Sequence, residues 1–306
     1  MNARLFALSL GLALSPLAAR GWDPGGHMLV GQIAWENISP STREKVTDLV
    51  KRLDYQFNEG QTYNFVTAGC WMDDMRSLGP AYKWARMHYV TIPWTESGEP
   101  TPIPVPPNVV ASIEDNMATL RNAAAPVEQR AEAVGMLLHF VGDIHQPLHT
   151  TDRHNDRGGN GYLIAGIPFS DLLEKQGANL HTYWDKAYRF GVVDGKIVEL
   201  WTNPRIPERP KEPGKGVIAA EARKIMAAFP RKSFPEIGPR ADATAWAQES
   251  HRVGCKSAYP PGDPPPNTEV GVLKPEFVRA CYPIANRRVA LAGYRLAALL
   301  EELFPP

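Results

Sequence analysis

Apolar residues recur every three to four positions along most of this 306-residue chain, a spacing that places them on one face of an α-helix. The longest such stretch is the last one, where Val289, Leu296 and Leu300 line one side. The pattern predicts eight helices, over residues 26–37, 41–54, 110–124, 127–146, 179–189, 216–229, 239–253 and 277–303.

Strand signals are short and few, with candidates at residues 162–167 and 192–193. The proline-rich stretches 93–107, 203–214 and 259–266 are predicted to be surface loops. No internal repeat and no change in composition divides the chain. The sequence therefore predicts a single-domain fold of the mainly α class, with at most a short β-hairpin.

Composition narrows the function classes. Basic and acidic residues both number 33, so the formal net charge is +0. Hydrophobic residues make up 43% of the chain and charged residues 22%, which excludes a disordered or fibrous protein. Because the chain carries no basic excess, any polyanionic ligand has to be held by a local site rather than by the overall field.

The N-terminus resembles an export signal. Arg4 precedes the short apolar run 5–14, and the small residues around Ala19 and Gly21 suit a cleavage site. The run is too short to cross a bilayer. We therefore predict a signal peptide over residues 1–21, a mature domain over 22–306 with Trp22 first, and a periplasmic or extracellular location without stable membrane association.

An exported chain can form disulfides, and this one has three cysteines. Cys255 and Cys281 lie closest in sequence, so we predict a bridge between them, with no bridge at all as the alternative. Cys70 lies in an apolar segment and is expected to be a buried thiol.

Two histidines each precede an aspartate by four residues inside predicted helices: His139 with Asp143, and His181 with Asp185. This spacing puts both side chains of a pair on one helix face, where they can offer a nitrogen and an oxygen ligand to a single point. One such pair alone is more often a hydrogen bond than a metal site.

Further candidate ligands accompany these pairs. His149 lies a few residues after the predicted helix that carries His139 and Asp143, and His27 lies near the predicted start of the mature chain. Asp73 and His88 lie between these two histidines in the sequence. Imidazole and carboxylate together suit Zn²⁺. So many ionisable groups can share a buried site only if cations neutralise them.

Several stretches match a known family in order. They are Trp22 with His27, WMDDMR at 71–76, HYV at 88–90, LLHFVGDIHQPLHT at 137–150, DRGGN at 156–160, NLHTYWD at 179–185 and WAQES at 246–250. Together they resemble the zinc-dependent single-strand-specific nucleases of the mung-bean nuclease family, whose superfamily includes bacterial zinc phospholipases C. The stretches at 137–150 and 179–185 are the most specific, and the matches cover most of the mature chain.

The resemblance implies a cluster of three Zn²⁺ ions. Its ligands would be Asp73, His88, His139 and Asp143 for one ion, then His149, His181 and Asp185 for a second, and Trp22, His27 and a bridging Asp143 for the third. Trp22 would bind through its free amine and its carbonyl oxygen, which requires cleavage just before it. His145 lies between two of these ligands and is expected to be structural.

The resemblance also implies roles in catalysis and substrate binding. Asp73 would orient the attacking water or take its proton, and Arg76 would hold the phosphorane, with a plain salt bridge as the alternative for Arg76. Tyr89 would stack on a base, unless it only packs in the core, and Asn160 would contact substrate from a glycine-rich turn. Thr91 replaces an acid of the family, which affects base preference rather than zinc chemistry.

The predicted function is that of a secreted zinc-dependent endonuclease. It would hydrolyse single-stranded DNA and RNA to 5′-phosphate products by a zinc-activated hydroxide, and it would also act as a 3′-nucleotidase. Its partners would be single-stranded nucleic acid and nucleotides, and we expect a monomer. Two alternatives remain: a zinc phospholipase C, and a non-catalytic zinc-binding protein without an open metal position.

Overall fold

The computed structural model describes residues 21–53, 62–169, 177–201, 209–238, 240–262 and 269–305. Residues 1–20 of the predicted signal peptide and parts of the two later proline-rich loops lie outside these ranges. The described α-helices are α1 (Pro24–Glu36), α2 (Pro40–Val50), α3 (Trp71–Asp74), α4 (Val109–Arg121), α5 (Val127–Asp143), α6 (Leu180–Trp184), α7 (Gly216–Ala228), α8 (Ala243–Val253) and α9 (Pro275–Leu303). The mainly α class is confirmed.

The described strands are short: β1 (Ile164–Ala165), β2 (Phe190–Val193), β3 (Lys196–Glu199) and β4 (Gly271–Val272). β1 pairs with β4 in parallel, and β2 pairs with β3 as an antiparallel hairpin. The hairpin turn is Asp194-Gly195, and both residues have positive φ angles (48° and 75°), as a tight two-residue turn requires.

Side-chain caps explain where several helices begin. Asp23 accepts a hydrogen bond from Gly26 N at the start of α1, and Asn179 accepts one from Thr182 N at the start of α6. These bonds satisfy amide groups that have no partner within the helix. The same two helices carry site residues, so the caps help to set the position of the site.

The core forms where α1 packs against α9 and α7, and where α5 packs against α4 and α2. α1 and α9 approach very closely, because a Cβ on Gly293 would lie 2.6 Å from Ile33 Cβ. Only glycine permits this distance. Within the part of the chain described, no helix has the length and hydropathy needed to cross a bilayer.

Some predicted boundaries differ from the structure. α5 ends at Asp143 rather than 146, and a 3₁₀ turn follows at Pro147–His149, because proline cannot continue the helix. The predicted helix 179–189 divides into α6 and a 3₁₀ turn at Ala187–Arg189. The short helical turns between residues 67 and 88 were not predicted, since elements of four residues carry no measurable periodicity.

The predicted bridge between Cys255 and Cys281 is wrong for this structure, where all three cysteines are free thiols. Cys255 Sγ lies 3.3 Å from His251 Nε2, whereas Cys281 Sγ lies 4.0 Å from the carbonyl oxygen of Ser257. The two thiols therefore have separate surroundings, and proximity in sequence did not bring them together.

Candidate metal centre

Three groups of histidine and aspartate side chains converge, and within each group the candidate ligand atoms lie within 4.8 Å of one another. The groups are His27, His139 and Asp143; then Asp73, His88 and His139; then His149, His181 and Asp185. They contain eight of the nine residues predicted as metal ligands, and Trp22 is the ninth. Residues predicted from separate motifs are therefore brought together in space.

Separate elements supply these side chains. His139 and Asp143 lie one turn apart near the end of α5, as their spacing predicted. His27 lies in the first turns of α1, Asp73 in α3, and His88 at the end of a 3₁₀ turn. Packing of α1 and α3 against α5 is what joins the first two groups.

Asp143 is the central carboxylate. Its Oδ2 lies 2.8 Å from His88 Nδ1 and 3.1 Å from His139 Nε2, and its Oδ1 lies 3.4 Å from His27 Nε2. The side chains of all four residues are fully buried. Each carboxylate oxygen thus faces a different set of imidazoles, an arrangement that suits a carboxylate shared between two cations.

Backbone carbonyl groups orient three of the imidazoles. The Nδ1–H groups of His139, His149 and His181 donate to the carbonyl oxygens of Gly69, His88 and Gly158, at 2.7, 2.6 and 2.6 Å. A carbonyl oxygen can only accept, so each Nδ1 carries a proton, and in the neutral form of each ring Nε2 keeps the lone pair that can bind a metal. Metal-binding histidines are commonly oriented in this way.

Two side chains at the centre have polar atoms without a hydrogen bond to any described residue: both ring nitrogens of His27, and Asp143 Oδ1. Burying such atoms without a partner costs about 1–3 kcal/mol each, and more for a charge. A divalent cation between His27 Nε2 and Asp143 Oδ1 would satisfy both. The donor set, nitrogen and carboxylate oxygen, therefore fits zinc.

Electrostatics favours the metal-binding forms of His27, His88 and Asp143. For His139, burial lowers the pKa, but Asp143 and Asp73 outweigh burial and raise it above its usual value. Burial lowers the pKa of His27 to about 3 and that of His88 to about 4, so both are neutral at pH 7. Burial alone would raise the pKa of Asp143, but His139 and His149 hold it well below its usual value. Neutral imidazoles and an ionised carboxylate are the metal-binding states.

The third group lies at α6. His181 Nε2 is 3.6 Å from Asp185 Oδ1, and the ring of His149 stacks on that of His181 with centroids 5.0 Å apart. Gln146 donates to Asp185 Oδ1 at 2.7 Å. Burial raises the pKa of Asp185 well above its usual value, so its ionised form needs a nearby cation.

The start of the described chain lies against this centre. Trp22 is fully buried, and its Nε1–H donates to the carbonyl oxygen of Gly142 at 2.9 Å. A Cβ on Gly21 would lie 1.6 Å from Asp143 Oδ1 and 3.0 Å from His27 Nε2. Residue 21 therefore occupies the space beside these two side chains.

The two residues predicted to be catalytic are paired with each other. Arg76 Nε donates to Asp73 Oδ1 at 2.7 Å, and both side chains are largely buried. Burial alone would raise the pKa of Asp73, but the combined field of His139, Arg76 and His88 lowers it well below the usual range. Arg76 thus does form the salt bridge of the alternative interpretation, with the predicted catalytic carboxylate as its partner.

The predicted substrate contacts are less buried than most of the ligand groups. Tyr89 is half-buried and follows the fully buried His88, and Thr91 is exposed. Asn160 is also half-buried, and its side-chain amide donates to the carbonyl oxygen of Arg157 at 2.8 Å. Their contacts with substrate remain predictions.

Sequence reasoning missed Tyr82. Its hydroxyl is hydrogen-bonded to His88 Nε2, and its ring lies 5.4 Å below the guanidinium of Arg76. Tyr82 thus touches one predicted ligand and one predicted catalytic residue. No periodic pattern marks it, because it lies between two 3₁₀ turns.

Residues from α8 and α9 hold the end of α5. Ser250 Oγ donates to the carbonyl oxygen of Ile144 at 2.5 Å, and Arg288 Nε donates to that of His145 at 3.0 Å. His145 Nδ1 donates to a carbonyl one turn earlier, and its Nε2 accepts from Arg295 at 2.9 Å. Both ring nitrogens are occupied, so the structural role predicted for His145 fits the structure.

Asp156 is expected to make stability depend on pH. It is buried in the glycine-rich turn, accepts from the Tyr259 hydroxyl at 3.1 Å, and has a pKa raised to about 6 by burial and by Asp152. Because the pKa of Asp156 is higher in the folded state than in the unfolded state, the protonated side chain stabilises the folded protein at low pH. This stabilisation is lost as the pH rises from about 4 to 6. The loss amounts to roughly 3 kcal/mol in the free energy of unfolding.

Asp156→Asn removes this titration while keeping a similar shape. We expect the free energy of unfolding of the wild type, measured by urea denaturation, to fall relative to that of the variant as the pH rises from 4 to 7. Parallel pH profiles for the two proteins would contradict the assignment.

The structure is a mainly helical domain with three adjoining sets of imidazole and carboxylate groups. These are the features of the class of metal-binding protein that the motifs predicted. Comparison with family models gives a match to the S1/P1 nuclease family over residues 22–305. Because the match covers most of the chain, the protein belongs to the S1/P1 nuclease family.

Individual nucleases also align with most of this chain. Nuclease P1 of Penicillium citrinum is 23% identical over 294 residues, which are 92% of this chain and 97% of that protein. Endonuclease 2 of Arabidopsis thaliana is 24% identical over 301 residues, 93% of this chain and 91% of that protein. Nuclease PA3 of a Penicillium species is 23% identical with the same coverage as Nuclease P1. The chain is therefore a nuclease that acts on nucleic acid.

Proposed function

We propose that this nuclease is a zinc-dependent phosphodiesterase that hydrolyses single-stranded DNA and RNA to 5′-phosphate products and also removes 3′-phosphates from nucleotides. The observation that carries the proposal is the buried, unsatisfied pair His27 Nε2 and Asp143 Oδ1 within a larger set of converging ligand atoms. Three Zn²⁺ ions per chain would account for the whole set.

The proposed ligands follow the three groups of side chains. One ion would be held by Asp73, His88, His139 and Asp143, a second by His149, His181 and Asp185, and a third by His27, Asp143 and the amine and carbonyl oxygen of Trp22. Zinc, when bound, supplies Lewis acidity that neutralises phosphate oxygens and lowers the pKa of water.

Arg76 and Asp73 would act on the phosphate and on the attacking water. The guanidinium of Arg76 presents forked donors that match phosphate oxygens. Its Nε is already engaged by Asp73 Oδ1, which fixes the direction of the fork. The lowered pKa of Asp73 keeps its carboxylate ionised at neutral pH, so Asp73 can accept a hydrogen bond from the attacking water and orient it. A carboxylate with so low a pKa is a weak base, which favours this orienting role over removal of the proton.

Positive charge concentrated at this centre would explain how a chain with a formal charge of +0 binds a polyanion. The ligands are buried, so a phosphate has to enter the protein surface to reach them. An unpaired strand can bend toward such a point and can stack a base on Tyr89, whereas a stacked duplex cannot easily do so. This supports a preference for single strands.

We also propose that the protein is exported, cleaved before Trp22 and active as a monomer. Cleavage follows from the ligand assignment, because an amide nitrogen has no available lone pair whereas a free amine does.

Metal removal tests the proposal. Dialysis of the mature protein against a chelator should abolish hydrolysis of single-stranded DNA and RNA, and added zinc should restore it, with about three zinc ions per chain by elemental analysis. Duplex DNA and phosphatidylcholine vesicles serve as parallel substrates.

Full activity without zinc would contradict the proposal. Hydrolysis of the phospholipid alone would replace it by a phospholipase C. Tight zinc binding without hydrolysis of any phosphate ester would leave a non-catalytic zinc-binding protein.

A further inference from the structure

A run of cations and aromatic rings leads away from the metal centre. Residues 75–88 contain three basic side chains other than histidine and no acidic one, although the whole chain has equal numbers of both charges. We call the following five residues the cationic aromatic stripe: Arg76, Tyr82, Lys83, Trp84 and Arg86.

The inner end of the stripe touches the centre. Arg76 pairs with Asp73 at 2.7 Å, and its guanidinium lies 5.4 Å above the ring of Tyr82. The Tyr82 hydroxyl is hydrogen-bonded to His88 Nε2. A strand whose phosphate lies at Arg76 would therefore meet Tyr82 next.

The outer end continues toward solvent. The rings of Tyr82 and Trp84 meet edge to face with centroids 5.6 Å apart, and the Lys83 ammonium lies 5.0 Å above the ring of Trp84. Both rings are half-buried, and Lys83 is exposed. A solvated ammonium over a ring is held by only about 0.5–1 kcal/mol, so another flat group can displace it.

The two outer cations have no acidic partner in the part of the chain that the structure describes. Neither Lys83 nor Arg86 forms an ion pair with a residue in the described ranges. By contrast, Lys51 pairs with Asp48 at 3.1 Å, and Lys224 pairs with its neighbour Glu221 at 2.7 Å. Unpaired cations beside aromatic rings are the features with which proteins bind single-stranded nucleic acid.

We propose that the cationic aromatic stripe binds the single strand next to the phosphate that is cleaved. One base stacks on Trp84 in place of the Lys83 ammonium, and the ammonium then contacts a phosphate of the same strand. Arg86 is exposed and lies two residues after Trp84 in the sequence, so it adds positive charge nearby. This inference rests on the proposed function, and it assigns a binding surface beyond Tyr89 and Asn160.

Substrates of different length test the stripe. Trp84→Ala should lower kcat/KM for a single-stranded 12-nucleotide DNA by about 5- to 100-fold, the range expected for loss of one stacked base. Hydrolysis of bis(4-nitrophenyl) phosphate, which is too short to reach Trp84, should stay within about twofold. Trp84→Phe keeps a ring and should restore most of the oligonucleotide rate.

The contribution of the two outer cations is tested by the salt dependence of DNA binding. Lys83→Gln and Arg86→Gln should each reduce the slope of log Kd against log salt by about 0.7 for single-stranded DNA. Arg43→Gln is the matched control, because Arg43 lies 4.9 Å over the ring of Trp35 and belongs to no part of the stripe. Its slope should equal that of wild type.

The outcomes separate the two proposals. Binding of a labelled oligonucleotide, measured by fluorescence anisotropy, reports on the stripe even if the protein does not cleave single strands. Trp84-dependent binding without cleavage would overturn the proposed function alone. Equal losses on the long and the short substrate, or no loss on either, would overturn the stripe.

Discussion

Asp143→Asn is expected to lower kcat/KM on single-stranded DNA by at least ~10³-fold, equivalent to about 4 kcal/mol of transition-state stabilisation. The two oxygens of Asp143 face His88 and His139 on one side and His27 on the other. The substitution removes the carboxylate charge that lies between these imidazoles, so two of the three proposed cations lose a ligand. Elemental analysis should find the variant short of up to two zinc ions per chain.

Asp156→Asn provides the control for this experiment. It also neutralises a buried carboxylate, but Asp156 belongs to none of the three ligand groups. Its zinc content should match that of wild type. An Asp143→Asn protein with full zinc content and normal turnover would rule out the bridging role.

A chain that begins at Gly21 instead of Trp22 is expected to lose one zinc ion and at least ~10²-fold in kcat, about 2.7 kcal/mol. The extra residue lies where a cation would meet His27 and Asp143, since even a single Cβ there would come within 1.6 Å of Asp143 Oδ1. It also converts the Trp22 amine, whose free form has a pKa near 8, into an amide without a lone pair.

The comparison needs two proteins released from the same fusion, one starting at Trp22 and one at Gly21, with mass spectrometry to establish each terminus. Zinc content and single-strand hydrolysis are then measured side by side. Equal zinc content and equal rates would refute the terminal-amine ligand and would leave the other two groups of ligands unaffected.

Local patterns were sufficient where one helix carries the feature. The pair His139 and Asp143 was predicted from its four-residue spacing, and both residues do lie one turn apart on α5. The same reasoning failed for Cys255 and Cys281, because short sequence separation says nothing about where two side chains point. Their thiols instead contact His251 and the carbonyl oxygen of Ser257.

The partners that orient the site could not be predicted. Gly69, His88 and Gly158 act through their carbonyl oxygens, and every residue has a carbonyl oxygen, so no residue type marks them. Tyr82 reaches His88 across an irregular segment, where neither helical nor strand periodicity applies. Backbone positions and irregular turns are determined by packing rather than by spacing.

The amino-acid sequence by itself determined the mainly α class, the residue types that can bind metal, the helix faces on which two pairs lie and the family to which the chain belongs. The family resemblance also implied that His27, His88 and Asp143 share one cluster. Tertiary structure alone decided how deeply these side chains are buried, which backbone carbonyl groups orient the imidazoles, and that cations and rings continue outward from Arg76. The physical reason is that periodicity reports only on neighbours within one element. Contacts between residues more than fifty positions apart depend on how α1, α3 and α5 pack together.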